Sequence, residues 1–328
     1  MHIMSDLHTH TIHSDGRWTP EELLREAKRI GIKQISITDH NTLKSIKEAK
    51  IKSREIGIDY VTGVEIDVKM IFEGETFHNH LLGYKFDENE LGKFIAEIKE
   101  LNKRYFDKLI DNLKTFLRKG KLSFNEPLIK LKKEIDIEKI NSKLIIIDEY
   151  SRKYKKKLDA ISLKSIFNEK FLGPEIIHRF IKNNLIEEPT KITDKYPTTW
   201  KKVFLENFGE IFNNVENFYK THLETISAIR DAGGIIILAH PFLEGLFWDE
   251  SKKEKYLSFL EYLVNNGLMG LEIYYYSNDR YTKEEQKLLN DRAKFLCKKY
   301  GLMSTYGSDC HGWKIFLGKF GGDEIISF

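Results

Sequence analysis

The sequence predicts an α/β fold: a barrel-like ring of about seven strands, interrupted by a long helical insertion. Three observations predict it. Strand and helix signals alternate in βα order over residues 1–87 and again over 222–328. Between them, residues 88–221 show helical periodicity, many charges and few strand signals. Histidines and carboxylates follow directly on the apolar strands in both flanking stretches, and in a βα barrel the working residues gather at strand C-termini.

The elements follow in order. Ile3 to Leu7 is a short strand running into His8. Thr19-Pro20-Glu21-Glu22 starts a helix: Thr19 caps it, Pro20 suits the first helical position, and Glu22 completes a capping box. That helix stops at Gly31, a C-terminal glycine. Gln34 to Thr38 is the second strand and ends at Asp39-His40. A helix over Leu43 to Ile56 ends before Gly57. Asp59 to Val64 is the third strand, ending at Glu65. Phe77 to Tyr84 alternates as a fourth strand, with His78 and His80 on one face. In the insertion, Leu91, Phe94, Ile98, Leu101, Tyr105, Leu109, Leu113 and Phe116 follow helical spacing within Glu90 to Arg118. Gly173-Pro174 marks a boundary before a helix over Ile176 to Asn183. The insertion is large enough for a small core of its own and reads as a cap. Alternation then resumes with a helix near Phe218 to Asp231 and a strand over Ile235 to Leu238 leading to His240. A strand follows over Gly270 to Tyr274, then a helix over Lys283 to Tyr300 and a last strand, Met303 to Gly307, that leads to Asp309.

Composition sets the class. The chain has 328 residues, 41% hydrophobic and 31% charged, which describes a globular protein with a real core. A net charge of +3 is small beside 53 Lys and Arg and makes no case for nucleic acid by itself. Two cysteines, Cys297 and Cys310, cannot build a disulfide framework, and a cytoplasmic setting is expected. Met1 to Asp6 lacks the basic start and apolar core of a signal peptide. No apolar run approaches the ~20 residues of a membrane span, so no membrane role is expected.

The candidate site residues have ordinary readings one at a time. An H-x-H pair such as His8 and His10 shares one strand face, and alone is more often a surface or capping pair. Asp15 before Gly16 suits a turn. One of Asp39 and His40 can simply hydrogen-bond its neighbour. His240, ending a nearly all-apolar strand, has a satisfied core histidine as its rival reading. Glu65 is harder to dismiss, because an unpaired carboxylate in a buried strand is costly. Asp309 and His311 lie on one side if extended, with Cys310 facing away as packing. The ordinary readings would have to hold independently at every strand end, and jointly they fail. His, Asp and Glu in this mixture hold clustered divalent metals, and such clusters carry out hydrolysis. His2, His13, His78, His178 and His222 fall outside the pattern.

The ordered set Asp6-Leu7-His8-Thr9-His10-Thr11, Ser14-Asp15-Gly16, Thr38-Asp39-His40, Gly63-Val64-Glu65, Ala239-His240-Pro241 and Gly307-Ser308-Asp309-Cys310-His311-Gly312 resembles the PHP family. That family groups metal-dependent phosphoesterases with the polymerase-associated and histidinol-phosphatase domains. The resemblance covers residues 3–87 and 222–318. It implies a distorted seven-stranded (β/α) barrel with two or three divalent metal ions. It places His8, His10, Glu65 and Asp309 on one metal, with Glu65 bridging to a second held by His80 and His240. Asp15, His40 and His311 would hold a third. Some relatives carry His where this chain has Asp15; an oxygen ligand there shifts preference toward Mn or Fe or weakens that site, and the metals expected are Mn, Fe or Zn. The segments Gly233 to Pro241 and Gly270 to Tyr274 most resemble the branch acting on nucleoside 3′,5′-bisphosphates and short 5′-phosphorylated oligonucleotides. Members of that branch often have a basic residue soon after Ala-His-Pro; here Phe242-Leu243-Glu244 follows.

The expected activity is hydrolysis of a small phosphomonoester, a nucleotide, by a water or hydroxide shared between the metals. Glu65 and Asp309 are then the central ligands. Arg17, just after the Ser14-Asp15-Gly16 turn, and His178, in the insertion, are candidate substrate contacts; a solvated arginine and a helix-surface histidine are the rival readings. The basic run Lys153 and Lys155 to Lys157 would attract a polyanion. Alternatives are a histidinol-phosphate-type phosphatase, a 5′-3′ exonuclease on short single strands, and a non-catalytic metal-binding regulatory module. The last would be marked by missing ligands, whereas all nine positions are filled. No protein partner is expected.

Overall fold

The computed structural model describes residues 4–118, 219–242, 250–274, 282–312, 317–318, 322 and 325–328. Seven strands form one sheet in the order β1 to β7. They are β1 (Ser5–Asp6), β2 (Gln34–Ile37), β3 (Asp59–Phe72), β4 (Glu75–Tyr84), β5 (Ile235–Leu238), β6 (Gly270–Tyr274) and β7 (Met303–Gly307). The helices among the described residues are α1 (Pro20–Ile30), α2 (Ile46–Ile56), α3 (Glu88–Arg118), α4 (His222–Asp231), α5 (Glu250–Asn265) and α6 (Lys283–Tyr300). The sheet nearly closes. Leu7 N donates to Tyr306 O at 2.8 Å and His10 N to Cys310 O at 3.0 Å, which ties β1 to β7.

Pairing is parallel throughout except around β4, which is antiparallel to both neighbours. That reversal decides where the site residues sit. Site residues follow the C-terminal ends of β1, β2, β5 and β7, whereas Glu65 and His80 lie within the paired β3 and β4. The third strand differs from the sequence expectation. It does not end at Glu65 but runs on to Phe72, pairing with β4 down to Phe72 opposite Glu75. Ile66, Val68, Met70 and Phe72 alternate with polar or exposed neighbours, the period-2 pattern of a half-buried strand. Phe72 and Phe77 pack on Phe259 of α5.

Three helices begin with the same device. Thr19, Thr221 and Thr282 each accept from the backbone N–H of a glutamate three residues on, and that glutamate caps back. Gly31 ends α1 with φ 95°, a left-handed cap that an L side chain resists. Helix α5 was not expected; Tyr256, Phe259, Leu260 and Leu263 are its buried stripe. Leu7, Val61, Leu82, Tyr84, Ile237 and Ala239 form a core cluster contributed by the strands themselves, and Tyr84 Oη donates to Leu7 O at 2.8 Å. A larger cluster lies between β3–β6 and helices α3 to α6.

The chain divides into two compact units, with residues up to Ile98 and from Tyr219 onward in the first and Lys99 beginning the second. Helix α3 runs across that division. The expected cap, residues 88–221, has its part from 119 to 218 outside the described residues, as do His178 and the lysines of 153–157. Leu243 and Glu244 are outside as well, while Phe242 is buried. No described helix is long and apolar enough to cross a membrane.

Candidate metal centre

The nine expected ligands converge. Glu65 is at the middle, 1% exposed. Its Oε2 lies 3.1 Å from His8 Nε2, 3.1 Å from His10 Nε2 and 3.3 Å from His40 Nε2. Its Oε1 lies 2.7 Å from His80 Nδ1 and 3.2 Å from His240 Nε2. Asp309 Oδ1 is 3.4 Å from His8 Nε2 and 2.9 Å from His10 Nε2. On the more exposed side, Asp15 Oδ2 is 3.0 Å from His311 Nε2 and 4.0 Å from His40 Nε2.

These spacings test the fit to metal. Ligand atoms ~2.1 Å from one ion, at tetrahedral or octahedral angles, lie about 3.0–3.4 Å apart. Most of the contacts around Glu65 fall there. Glu65 Oε2 is buried and makes no hydrogen bond of acceptable geometry among the described residues, although three imidazole nitrogens surround it. Atoms that aim at a common point between them, rather than at one another, produce that combination. Three groups can each hold an ion: His8, His10, Glu65 and Asp309; His40, Glu65 and His80; and His10, Asp15, His40 and His311. The first is the set the resemblance implies. In the other two, His40 and His10 stand between groups, and His240 joins through its contact with Glu65 Oε1.

A second ring of groups fixes the imidazoles, and sequence reasoning missed it. Glu272 Oε1 accepts from His8 Nδ1 at 2.9 Å, and its Oε2 accepts from the His240 backbone N–H at 2.7 Å. A carboxylate only accepts, so Nδ1 of His8 keeps a proton and Nε2, facing the centre, is the nitrogen a metal would take. Asp67 Oδ1 lies 3.2 Å from His40 Nδ1 and 3.1 Å from His80 Nε2, close enough to pair electrostatically with both rings. His311 Nδ1 donates to Asp309 O at 2.7 Å. Asp39 is not among the converging ligands. It accepts from Thr11 N, Thr11 Oγ1 and Ser14 Oγ at 2.7–2.8 Å, pinning the loop that carries His10 and Asp15. Asp6 likewise accepts from Ser308 N and Oγ, holding the loop before Asp309. The signal for Glu272 was available: a lone carboxylate between Leu271 and Ile273 in an apolar strand carries the same cost that singled out Glu65.

Backbone strain concentrates at the same place. His240 and Asp309 have φ of 27° and 51°, the left-handed region that non-glycine residues avoid. Gly307 answers a different need. A Cβ there would lie 2.2 Å from Glu272 Oε1 and 2.4 Å from His8 Cβ, so only glycine lets the two approach.

Electrostatics follow from crowding. Burial would raise the Glu65 pKa, but the imidazoles of His40, His8 and His80 outweigh it and hold the carboxyl well below its usual range. Burial would lower His8, yet Glu65, Glu272 and Asp309 raise it well above its ordinary value. His40 is raised in the same way, by Glu65, Asp67 and Asp15 against burial. His311 is pushed up to about 10 by Asp15 and Asp309 against burial, and Asp67 down to about 2 by His40 and His80 against burial. Burial takes His78 down to about 4, with the His80 charge adding to it.

Arg17 lies at the Asp15 side, where its backbone N–H donates to His311 O at 3.1 Å. His222 is buried, with Nε2 3.1 Å from Asn79 Oδ1.

A barrel mouth that gathers six imidazoles and three carboxylates defines a class: hydrolases that work through clustered divalent metals. Comparison with known proteins narrows it. The family model for the PHP domain matches residues 6–232. A 5′-3′ exoribonuclease of Haemophilus influenzae is 40% identical over 83 residues, 25% of this chain and 29% of that protein. The chain thus spans under a third of that relative's length. Phosphoribosyl 1,2-cyclic phosphate 1,2-diphosphodiesterase of Eggerthella lenta is 23% identical over 326 residues, 99% of this chain and 98% of that protein. A crystal structure from Bifidobacterium adolescentis, described as a metal-dependent phosphoesterase, superposes with a TM-score of 0.56 at 20% identity, covering 94% of this chain and 88% of the other. That likeness shows the fold. The chain belongs to the PHP domain family, and its enzymatic class is that of phosphoester hydrolases.

Proposed function

We propose that the protein hydrolyses a small phosphomonoester, a nucleoside 3′,5′-bisphosphate or a similar small nucleotide. The observation that carries the reading is the buried Glu65 carboxylate, ringed by His8, His10, His40, His80 and His240 nitrogens at 2.7–3.3 Å. A centre of this density suits phosphoryl chemistry, in which several oxygens of one group carry negative charge. His8, His10, Glu65 and Asp309 would hold one ion, Glu65 with His80 and His240 a second, and Asp15, His40 and His311 a third. When bound, divalent metals neutralise phosphoryl charge and lower the pKa of water.

The chain's own residues do the rest. Glu272 and the Asp309 carbonyl accept from Nδ1 of His8 and His311, so the nitrogen a metal would take is Nε2 on each, while Asp67 sits beside His40 and His80. Asp39 and Asp6 fix the two loops whose ligands meet there. Asp15 is the most exposed of the three carboxylates and, with His311, forms the edge open to solvent. Arg17, adjacent to that edge, is the group placed to contact the phosphate.

A second reading is favoured by the exoribonuclease match: attack on the 5′ end of a short single-stranded oligonucleotide. A phosphate-release panel separates the readings. It contains adenosine 3′,5′-bisphosphate, a 5′-phosphorylated trinucleotide and histidinol phosphate, each with and without Mn. Fastest release from the bisphosphate is expected. Exclusive release of mononucleotides from the trinucleotide would support the nuclease instead, and no release from any of them would refute phosphomonoesterase activity.

A further inference from the structure

The β3–β4 hairpin continues past the metal centre. Antiparallel register puts paired residues on one face, and next-but-one pairs share it. Asp67 is opposite His80, and Lys69 is opposite His78. The second row therefore lies on the same face as the first, one strand repeat or ~6.8 Å farther along. Its side chains carry chemistry that no packing role uses. Lys69 makes no ion pair among the described residues; its Nζ rests 5.8 Å from the Tyr219 ring centroid. His78 Nε2 is buried without a hydrogen-bond partner among them, an unfavourable arrangement unless something fills it. The His78 ring lies 4.6 Å from that of Tyr219 and 6.0 Å from that of His80. Tyr219 is held there by its neighbour: Lys69 N donates to Lys220 O at 3.0 Å, and Val68 bridges to Lys220. The nearby centre supplies carboxylates, yet Lys69 pairs with none of them.

We propose that Lys69 and His78, backed by Tyr219, form a subsite for a second phosphate of the substrate, one that is bound but not cleaved. This rests on the phosphomonoesterase reading above and adds its selectivity. An ammonium and an imidazole N–H both donate to a phosphate, and charge-assisted contacts of this kind are the stronger ones. The spacing suits a molecule whose two phosphates lie about one strand repeat apart. The subsite therefore favours doubly phosphorylated nucleotides over singly phosphorylated ones.

The experiment compares kcat/KM for adenosine 3′,5′-bisphosphate with that for the better of the two adenosine monophosphates, in wild type, Lys69→Met and Lys69→Arg. The expected result is a ratio that falls about tenfold or more in Lys69→Met, through KM for the bisphosphate, and that Lys69→Arg largely restores. Metal content is measured on the same samples. A ratio unchanged in Lys69→Met overturns the inference, whether both activities fall together, as a structural role requires, or neither does. A wild type that hydrolyses the monophosphates equally well overturns the subsite alone. A wild type inactive on every phosphoester overturns the parent reading, and the subsite with it.

Discussion

Glu272→Gln should cripple metal binding although Glu272 touches no metal position. The carboxylate serves two donors at once, His8 Nδ1 at 2.9 Å through Oε1 and the His240 N–H at 2.7 Å through Oε2. Glutamine has the same shape but one acceptor oxygen. One donor is thus left facing an NH2 group, at a residue 1% exposed. If the His240 N–H is stranded, an already left-handed backbone loses its anchor, at about 1–3 kcal/mol. If His8 is stranded, its proton moves to Nε2 and the nitrogen ceases to be a ligand. Losses of this kind cost roughly 10–100-fold in metal affinity, or about 1.4–2.7 kcal/mol. The assay is competition for Mn or Zn against a chelator of known affinity, with urea unfolding of the metal-free protein alongside. Wild-type affinity in Glu272→Gln would refute the argument that this carboxylate sets the His8 tautomer. Lost stability with unchanged affinity would reduce Glu272 to a packing role.

Other expectations follow from the same geometry. Gly307→Ala places a methyl 2.2 Å from Glu272 Oε1. It should destabilise by about 1–3 kcal/mol and weaken metal binding in parallel, read by thermal melts with and without metal. Metal uptake should release protons at neutral pH, because His8, His40 and His80 are raised by their carboxylates and His311 lies at about 10 in the metal-free protein. Affinity should therefore fall as pH falls, and calorimetry in buffers of different ionisation enthalpy counts the protons; none released would refute the charged-imidazole picture. The His222 pKa is shifted the other way, downward. Burial lowers it from 6.5 to about 3, so the unfolded chain binds the extra proton between those values. Stability should be lost as pH falls through that window, by up to about 1.4 kcal/mol per unit. His222→Gln should flatten that part of the urea–pH profile.

Much of this was legible in the sequence because strand ends carry a local signature: an apolar run followed at once by His, Asp or Glu. His8, His40, His240 and Asp309 were found that way, and Thr19, Pro20 and Glu22 marked α1. Glu65 was found for its buried charge but misplaced as a strand end. A carboxylate after Val64 looks like a terminus, and the alternation from Ile66 to Phe72 becomes decisive only once β4 is paired beside it. The reversed β4 was likewise hidden, since pairing direction is a tertiary property. Asp67 and Glu272 were visible as lone charges in apolar strands. Their partners, His40 and His80 for one and His8 and His240 for the other, are brought to them only by closing the sheet. Helix α5 carried its i, i+3, i+4, i+7 stripe in plain view at Tyr256, Phe259, Leu260 and Leu263, and went unread.

The central claim is that Glu65 joins these side chains into one hydrolytic metal centre. Metal content and phosphate release, measured together on wild type and Glu65→Gln, test it most directly. Wild type should hold two or three divalent ions per chain and release phosphate. Glu65→Gln should lose at least one ion and about a hundredfold or more in rate. Full metal content with undiminished hydrolysis in Glu65→Gln would contradict the account.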